Sequence, residues 1–332
     1  MVRRALVTGA GGFIGHHLVS YLKDAGYWVR GVDLKEPDFE SSAADEFDVL
    51  DLREFENCRR AVDGVGEVYQ LAADMGGIGF ISANHAEVGR NNVLIDTHML
   101  HAAAEAKTRR FFYASSACIY PMYRQETPDV AGLKEDDAYP AQPEEGYGWE
   151  KLYSEKMCKY YRNDYGLDTR VARFHNIFGP LGTYDGGREK APAAICRKVA
   201  LAEDGGTIEV WGDGKQTRSF TYIDDCIEGI YRLTQSDHSQ PLNLGTEELI
   251  SVDGLVDLVA EVAGKTIKKA HDLSKPQGVR GRNSDNTQLQ AVLGWGPRTS
   301  LREGLARTYE WIAQQMSAPR AHDPERATAA PG

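Results

Sequence analysis

Paired cysteines, an excess of basic residues and long apolar runs are all missing from this chain of 332 residues. The five cysteines are odd in number and include no Cys-x-x-Cys pair, so the sequence indicates neither a disulfide framework nor a zinc site. The nine histidines form no metal-binding pattern, and no metal is predicted. The formal net charge of -11 argues against nucleic acid or an anionic membrane as a partner. Because no apolar run approaches the ~18 residues of a membrane span, we expect a soluble protein with reduced thiols, located in the cytoplasm.

Short apolar runs alternate with stretches of helical periodicity through the first half of the chain. The predicted strands are residues 5–8, 28–32, 67–72, 110–114 and 169–174. This alternation predicts right-handed β-α-β crossovers and an α/β fold with a Rossmann-type, doubly wound parallel sheet. Beyond His175 glycine and proline become frequent, which indicates a second, smaller α/β lobe that binds the substrate. We assign residues 1–175 and about 215–250 to the cofactor domain, about 176–214 and 251–316 to the second lobe, and 317–332 to a disordered tail.

A glycine-rich turn, Thr8-Gly-Ala-Gly-Gly-Phe-Ile-Gly15, joins the first predicted strand to the first predicted helix. In that context its backbone N–H groups can bind the pyrophosphate of a dinucleotide. Asp33 ends the next predicted strand, where a carboxylate accepts hydrogen bonds from the adenosine ribose and repels a 2′-phosphate. This favours NAD over NADP, and Lys35 weakens the preference slightly. The alternative is an ordinary tight turn with an exposed aspartate, while Asp51 is open between an adenine contact and a solvated carboxylate.

Tyr147 and Lys151 are four residues apart in Gly146-Tyr-Gly-Trp-Glu-Lys151, downstream of Ser115-Ser-Ala-Cys118. On a helix these positions share a face, so the Lys151 ammonium can lie beside the Tyr147 phenol and favour its ionised form. A phenol with an ordinary pKa of ~10 then becomes a usable base near neutrality. With a dinucleotide as hydride acceptor, the pattern predicts redox chemistry at a secondary alcohol.

Five features together resemble the extended short-chain dehydrogenase/reductases that act on nucleotide sugars. They are the glycine turn, Ser116, Tyr147-x-x-x-Lys151, Arg218-Ser-Phe-Thr-Tyr-Ile-Asp-Asp225 and Leu242-Asn-Leu-Gly245. Within that family, longer strings resemble the GDP-mannose 3,5-epimerase group: Ala73-Asp-Met-Gly-Gly-Ile-Gly-Phe80, Ser115-Ser-Ala-Cys-Ile-Tyr-Pro121, Arg173-Phe-His-Asn-Ile-Phe-Gly-Pro180, Gly187-Arg-Glu-Lys-Ala-Pro-Ala193 and Val279-Arg-Gly-Arg-Asn-Ser-Asp-Asn286. The resemblance covers nearly the whole chain. It implies bound NAD and the conversion of GDP-D-mannose to GDP-L-galactose, with GDP-L-gulose formed by inversion at C5 alone.

The implied reaction needs more than an alcohol base. Protons on C3 and C5 of a hexose become acidic only when C4 is a ketone, because only then can the carbanion delocalise as an enolate. Tyr147, helped by Ser116 and Lys151, is the predicted base at the C4 hydroxyl. By resemblance, Cys118 and Lys190 are the base and acid that invert the neighbouring carbons. A buried structural cysteine is the alternative for Cys118, against which its place two residues beyond Ser116 argues, and a solvated charge is the alternative for Lys190.

The remaining cysteines, Cys58, Cys158, Cys196 and Cys226, are assigned structural roles. Cations of the second lobe could bind a diphosphate, since guanidinium forks suit phosphate oxygens. By resemblance the substrate-binding residues are Gly76, Ser116, Ala117, Cys118, Asn176, Glu189, Lys190, Ala191, Lys198, Gln216, Thr217, Arg218 and Arg282. Arg197, Lys215 and Arg280 are open between that role and plain surface charge. The predicted cofactor-binding residues are Gly9, Gly12, Phe13, Ile14, Gly15, Asp33, Asp51, Leu52, Ala73, Tyr147 and Lys151.

Rival functions share the scaffold. A GDP-mannose 4,6-dehydratase needs a carboxylate near Ser116, where this chain has Cys118. Epimerases that act at a single carbon, C4 or C5, are disfavoured by the Gly-Gly-Arg-Glu-Lys190 loop. A cofactor-sensing binding module would not need Tyr147 and Lys151 together. The family often dimerises through two long helices, and residues 92–106 and 149–165 could form such an interface of a homodimer or be buried within one monomer.

Overall fold

The computed structural model describes residues 2–317, which form a large parallel sheet flanked by helices and a smaller group of helices and short strands. As far as the end of the large sheet's sixth strand the elements are β1 (Arg4–Thr8), α1 (Phe13–Asp24), β2 (Trp28–Asp33), β3 (Glu46–Val49), α2 (Phe55–Val62), β4 (Glu67–Gln70), α3 (Ile78–Ala83), α4 (His85–Glu105), β5 (Arg110–Ser116), α5 (Tyr147–Tyr165) and β6 (Thr169–Phe174). The remaining elements are β7 (Ile177–Phe178), α6 (Ala191–Leu201), β8 (Thr207–Trp211), β9 (Thr217–Ser219), β10 (Thr221–Tyr222), α7 (Ile223–Gln235), β11 (Leu242–Leu244), β12 (Leu249–Ser251), α8 (Val252–Ala263), β13 (Lys268–Asp272), β14 (Gly281–Arg282), α9 (Thr287–Leu293) and α10 (Leu301–Ser317).

The central sheet has seven strands in the order β11-β6-β5-β4-β1-β2-β3, and every pairing within it is parallel. All five strands predicted from apolar runs lie in this sheet, so the predicted doubly wound α/β fold is confirmed. The chain runs outward from β1 to β3 and then returns to build the other half from β4. The direction of winding therefore reverses between β1 and β4, and a crevice opens at the carboxyl ends of these two strands.

Side chains alternate between the two faces of the sheet because successive residues of a strand point in opposite directions. In β1, Ala5 and Val7 belong to one apolar cluster with Leu18 of α1 and Ile227 of α7. Leu6, between them, belongs to a second cluster that includes residues of α2, α4 and α5. Strand β1 is thus covered on both faces, as a strand inside a parallel sheet requires, whereas the edge strand β3 is partly exposed.

The smaller group of elements packs beside the carboxyl edge of the sheet. Helices α6, α8 and α10 contact one another, and β8 pairs with β13. The chain returns to the main sheet within residues 215–250, where helix α7 precedes strand β11. The lobe boundaries proposed from sequence stay a prediction. Of the predicted tail, Ser317 is the last residue of α10, and 318–332 lie outside the described residues.

The two long helices singled out for a dimer interface, α4 and α5, pack against each other within this chain. Part of α5 still faces solvent: Trp149, Tyr153 and Tyr160 are 46%, 47% and 50% exposed. Among residues 2–317, no helix combines the length and apolarity needed to span a lipid bilayer.

Candidate functional site

A cleft of about 1120 Å³ lies at the carboxyl edge of the central sheet, between the sheet and the smaller group of elements. Every predicted catalytic and cofactor-binding residue lines this cleft, and so does every predicted substrate-binding residue except Thr217. The Thr217 hydroxyl instead donates a hydrogen bond to the Pro128 carbonyl, 2.5 Å away. Thr217 thus does not line this cleft, and its predicted role in substrate binding stays a prediction.

The glycine turn is shaped by close backbone approach. Gly9 adopts a left-handed φ of 69°, and a Cβ there would lie 2.9 Å from the Ala72 nitrogen. A Cβ on Gly15 would lie 2.0 Å from the Gly9 carbonyl oxygen. No side chain caps the N-terminus of α1, which leaves its first N–H groups open to an anion. A turn with this shape fits the pyrophosphate of a dinucleotide.

Asp33 completes the cofactor side of the cleft. Its Oδ2 accepts a hydrogen bond from the Gly11 backbone N–H at 2.9 Å, and Oδ1 accepts one from the Leu34 N–H at 2.6 Å. Burial raises the pKa of Asp33 despite these bonds. Lys35, expected to weaken the preference for NAD, forms an ion pair with Asp38. Gly11 was not among the predicted cofactor residues, although a Cβ there would lie 2.1 Å from the Lys35 carbonyl oxygen.

Asp51 lines the cofactor side but is already engaged. Its carboxylate receives Arg53 Nε at 2.9 Å and Arg53 Nη2 at 2.6 Å, and Arg53 lowers the pKa of Asp51. Asp51 is therefore not a free solvated carboxylate, the alternative that the sequence left open. The adenine contact stays a prediction.

Tyr147 is the first residue of α5 and Ser116 the last residue of β5, which brings both side chains to the cleft. Lys151 Nζ lies 5.7 Å from the centroid of the Tyr147 ring. Burial raises the pKa of Tyr147, whereas Lys151 and a hydrogen bond with Ser116 act in the opposite direction. Lys151 thus favours the ionised phenol in the predicted sense, but burial is the larger effect in this structure.

Lys151 is buried within a polar network that the sequence did not reveal. Its Nζ donates to the Tyr113 hydroxyl at 3.1 Å and lies 3.8 Å from Asp96 Oδ2 and 3.9 Å from Glu150 Oε1. Asp96 and Glu150 raise the pKa of Lys151 against the effect of burial. Burial raises the pKa of Glu150 to about 8. Lys151 is therefore held as a cation by its carboxylate neighbours, especially Asp96.

Cys118 follows β5 in a single helical turn, Ala117–Ile119, where its backbone N–H donates to Ser116 Oγ at 3.1 Å. Arg282 Nη1 donates to Cys118 Sγ at 3.4 Å. Burial and Glu144 raise the pKa of the Cys118 thiol, and Arg282 opposes them. A cation therefore lies beside this thiol. Arg282 also lines the cleft, and its predicted role in substrate binding stays a prediction.

Lys190 immediately precedes α6 and lines the same cleft as Cys118. Burial lowers the pKa of Lys190, and Cys118 and Cys226 oppose this effect through their charge. An amine with a lowered pKa can exchange a proton near neutral pH. A thiol with a raised pKa and an amine with a lowered pKa thus line one cleft.

Of the other predicted substrate residues, Arg218 is half-buried, and burial together with Arg282 lowers its pKa to about 10. Lys198 donates to the Glu209 carbonyl at 2.8 Å, and Gln216 donates to the Trp211 carbonyl at 2.8 Å. The Gln216 side-chain oxygen is buried without a hydrogen-bond partner. Arg280, which the sequence left open, donates from Nη2 to Asp213 Oδ2 at 2.9 Å and does not line the cleft.

Within residues 2–317, no three His, Cys, Asp or Glu side chains converge in a way that could hold a metal ion.

A parallel sheet, a phosphate-binding glycine turn and a Tyr-Lys pair on one helix together define a class of NAD-dependent enzymes. The chain matches the NAD dependent epimerase/dehydratase family over residues 5–245 and belongs to that family. NAD is accordingly its cofactor.

The chain is also similar to individual proteins of this kind. The chain is 49% identical to the GDP-mannose 3,5-epimerase of Arabidopsis thaliana over 95% of this chain and 83% of that protein. Its structure is similar to that of a UDP-glucose 4-epimerase from Thermotoga maritima bound to UDP-glucose, with a TM-score of 0.86, 25% identity and coverage of 94% and 99% of the two chains. A UDP-glucuronic acid 4-epimerase from Bacillus cereus in complex with UDP-glucuronic acid and NAD gives a TM-score of 0.80, 26% identity and the same two coverages, 94% and 99%.

Proposed function

We propose that this chain converts GDP-D-mannose to GDP-L-galactose, and to GDP-L-gulose when only C5 is inverted. The observation that carries the proposal is the convergence of Cys118 and Lys190 on the cleft that also contains Tyr147 and Lys151. A simple alcohol dehydrogenase needs only the second pair. The additional base and acid are what inversion beside a ketone requires, and the similarity to the Arabidopsis enzyme supports the same substrate.

Tyr147 removes the proton of the C4 hydroxyl in the first step of the proposed reaction. Lys151 and Ser116 assist, because a cation and a hydrogen-bond donor both stabilise the phenolate. When bound, NAD supplies a reversible acceptor for the C4 hydride. The same Tyr147 returns its proton to the oxygen on C4 when the ketone is reduced at the end of the cycle.

Cys118 and Lys190 carry out the inversions in this proposal. Cys118, as thiolate, removes the proton from the carbon next to the C4 ketone, and an enolate forms. Lys190, as ammonium, delivers a proton to the opposite face of that carbon. Each inversion forms one S–H bond on Cys118 and breaks one N–H bond on Lys190. Solvent must then remove the proton from Cys118 and return a proton to Lys190 before the next inversion.

A GDP-mannose 4,6-dehydratase is the second candidate, because one carboxylate does lie beside Cys118, two residues beyond Ser116. Glu144 is that carboxylate, and it is bound by Arg282. Burial acts to raise the pKa of Glu144, but Arg282 outweighs it and leaves the pKa below its ordinary value. A carboxylate stabilised in this way is a weak base, which disfavours dehydration.

The remaining proposals concern assembly and location. We propose a homodimer that covers the exposed aromatic residues of α5, Trp149, Tyr153 and Tyr160, which share one helical face. Light scattering should then give about twice the chain mass of 36.7 kDa. Tyr153→Arg should halve that mass, whereas Leu201→Arg, an exposed position on α6, should not.

A cytoplasmic location is also proposed, with the five free cysteines as support.

Proton NMR of GDP-mannose with the purified protein in D2O tests the function directly. Deuterium at both C3 and C5, with L-galacto signals, is the expected result. Exchange at C5 alone would mean a single epimerase, and a 4-keto-6-deoxy product would mean a dehydratase. Cys118→Ala should abolish exchange, while Cys196→Ala, at a buried cysteine outside the cleft lining, should retain it. Normal exchange by Cys118→Ala would contradict the assigned base.

A further inference from the structure

Glu144 is a nearly buried carboxylate that the proposed reaction does not use. It lies in the loop before α5, and its side chain is 15% exposed. Its backbone N–H donates to the Cys118 carbonyl at 3.1 Å, which ties this loop to the turn that bears the thiol. Helix α5 approaches the same carbonyl, since a Cβ on Gly148 would lie 2.4 Å from the Cys118 oxygen. The backbone therefore fixes Glu144 and Cys118 relative to each other.

Arg282 connects the two side chains. Its Nη1 donates to Cys118 Sγ at 3.4 Å, its Nη2 donates to Glu144 Oε1, and its Nε donates to Gln125 Oε1 at 2.6 Å. The guanidinium is 6% exposed and its plane is held at three points. A side chain bound in this way has little freedom to turn toward a ligand. Its orientation toward the thiol depends on Glu144 and Gln125.

We propose that Glu144 is a positioning residue for Cys118: its carboxylate holds Arg282 against the thiol and, by its own negative charge, opposes ionisation of that thiol. The proposal rests on the proposed function only in giving Cys118 the role of base. The placement of Glu144, Arg282 and Cys118 stands independently of the substrate.

Several charged or titratable groups face the Cys118 thiol from the elements around it. They are Glu144 from the loop before α5, Tyr147 from α5, Lys190 from the residue before α6, Arg218 from β9 and Arg282 from β14. Glu144 raises the pKa of the thiol, and Arg282 lowers it. Burial also raises the pKa of the thiol, so burial and Glu144 together oppose its ionisation, while Arg282 favours it. Removing the negative charge of Glu144 should therefore lower the pKa of the thiol.

The test is the pH dependence of alkylation of Cys118 by iodoacetamide in the NAD-loaded full-length protein. Mass spectrometry of the peptide containing Cys118 measures the rate, and Cys118→Ser identifies the signal. Glu144→Gln keeps an oxygen that can accept from Arg282 but removes the negative charge. The midpoint of the alkylation rate against pH should therefore move to lower pH by about one to three units. Arg282→Gln should move the midpoint to higher pH. Glu144→Asp, which keeps the charge, should stay near the original midpoint.

If Glu144 had only a structural role, Glu144→Gln and Arg282→Gln would not shift the alkylation midpoint in opposite directions. An unchanged or raised midpoint in folded Glu144→Gln overturns the proposal, and folding is checked by thermal melting. If Glu144→Gln does not fold, Arg282→Gln decides: a raised midpoint supports the proposal and an unchanged one overturns it. Alkylation needs no turnover, so absence of GDP-mannose exchange would refute the proposed function while leaving the Glu144 result interpretable on its own.

Discussion

Gly15→Ala tests whether the close approach of α1 to the glycine turn is what binds NAD. The added Cβ would lie 2.0 Å from the Gly9 carbonyl oxygen, 2.7 Å from the Gly9 carbonyl carbon and 2.9 Å from Ala10 Cα. All three are backbone atoms, so no rotamer change relieves the contact. The helix N-terminus must move away from the turn by about 1 Å, which removes its N–H groups from the position of the pyrophosphate. Loss of one hydrogen bond to a charged group costs about 1.5–3 kcal/mol, or about 10- to 100-fold in affinity.

NAD titration, followed by quenching of tryptophan fluorescence, measures the effect. We expect NAD to bind Gly15→Ala about 10- to 100-fold more weakly than the unsubstituted protein, with the sheet still folded. Gly89→Ala is the matched control, because a Cβ there meets no atom within 4 Å and the residue is inside α4. That control should bind NAD normally and unfold at slightly higher temperature, since alanine favours a helix over glycine by about 1 kcal/mol. Equal NAD affinity of the Gly15 and Gly89 variants would refute the reasoning.

Three further predictions concern catalysis and stability. Tyr147→Phe should slow deuterium exchange at C3 and C5 by about 100- to 10,000-fold, because oxidation at C4 must precede it. Glu155→Gln should lower the free energy of unfolding by about 3–5 kcal/mol in urea titrations, as it leaves the buried Arg173 without its anionic partner; a loss comparable to that of an exposed pair would contradict this. Burial lowers the pKa of His175 to about 3 from an ordinary 6.5, so its contribution to stability is complete above pH 6.5 and is lost as pH falls toward 3. His175→Gln should weaken the decline in urea midpoint between pH 7 and pH 5, and an undiminished decline would exclude His175 as its source.

Local patterns in the sequence determined the architecture of the sheet. Strands such as β1 and β6 are short apolar runs between helical stretches, and burial on both faces of a parallel sheet leaves no other place for such runs. The glycine turn could also be predicted from the sequence, because it is formed by residues that are adjacent in the chain. The spacing of Tyr147 and Lys151 placed both on one helical face, as observed.

Contacts between distant parts of the chain were decided only by the tertiary structure. Glu144 and Arg282 are 138 residues apart, and no periodicity joins a loop before α5 to a two-residue strand. Asp96 reaches Lys151 because α4 packs on α5. For the same reason the sequence could not show that burial would outweigh Lys151 in setting the pKa of Tyr147. Local sequence fixes which residues form each element, but desolvation and charge at a site depend on every element that surrounds it.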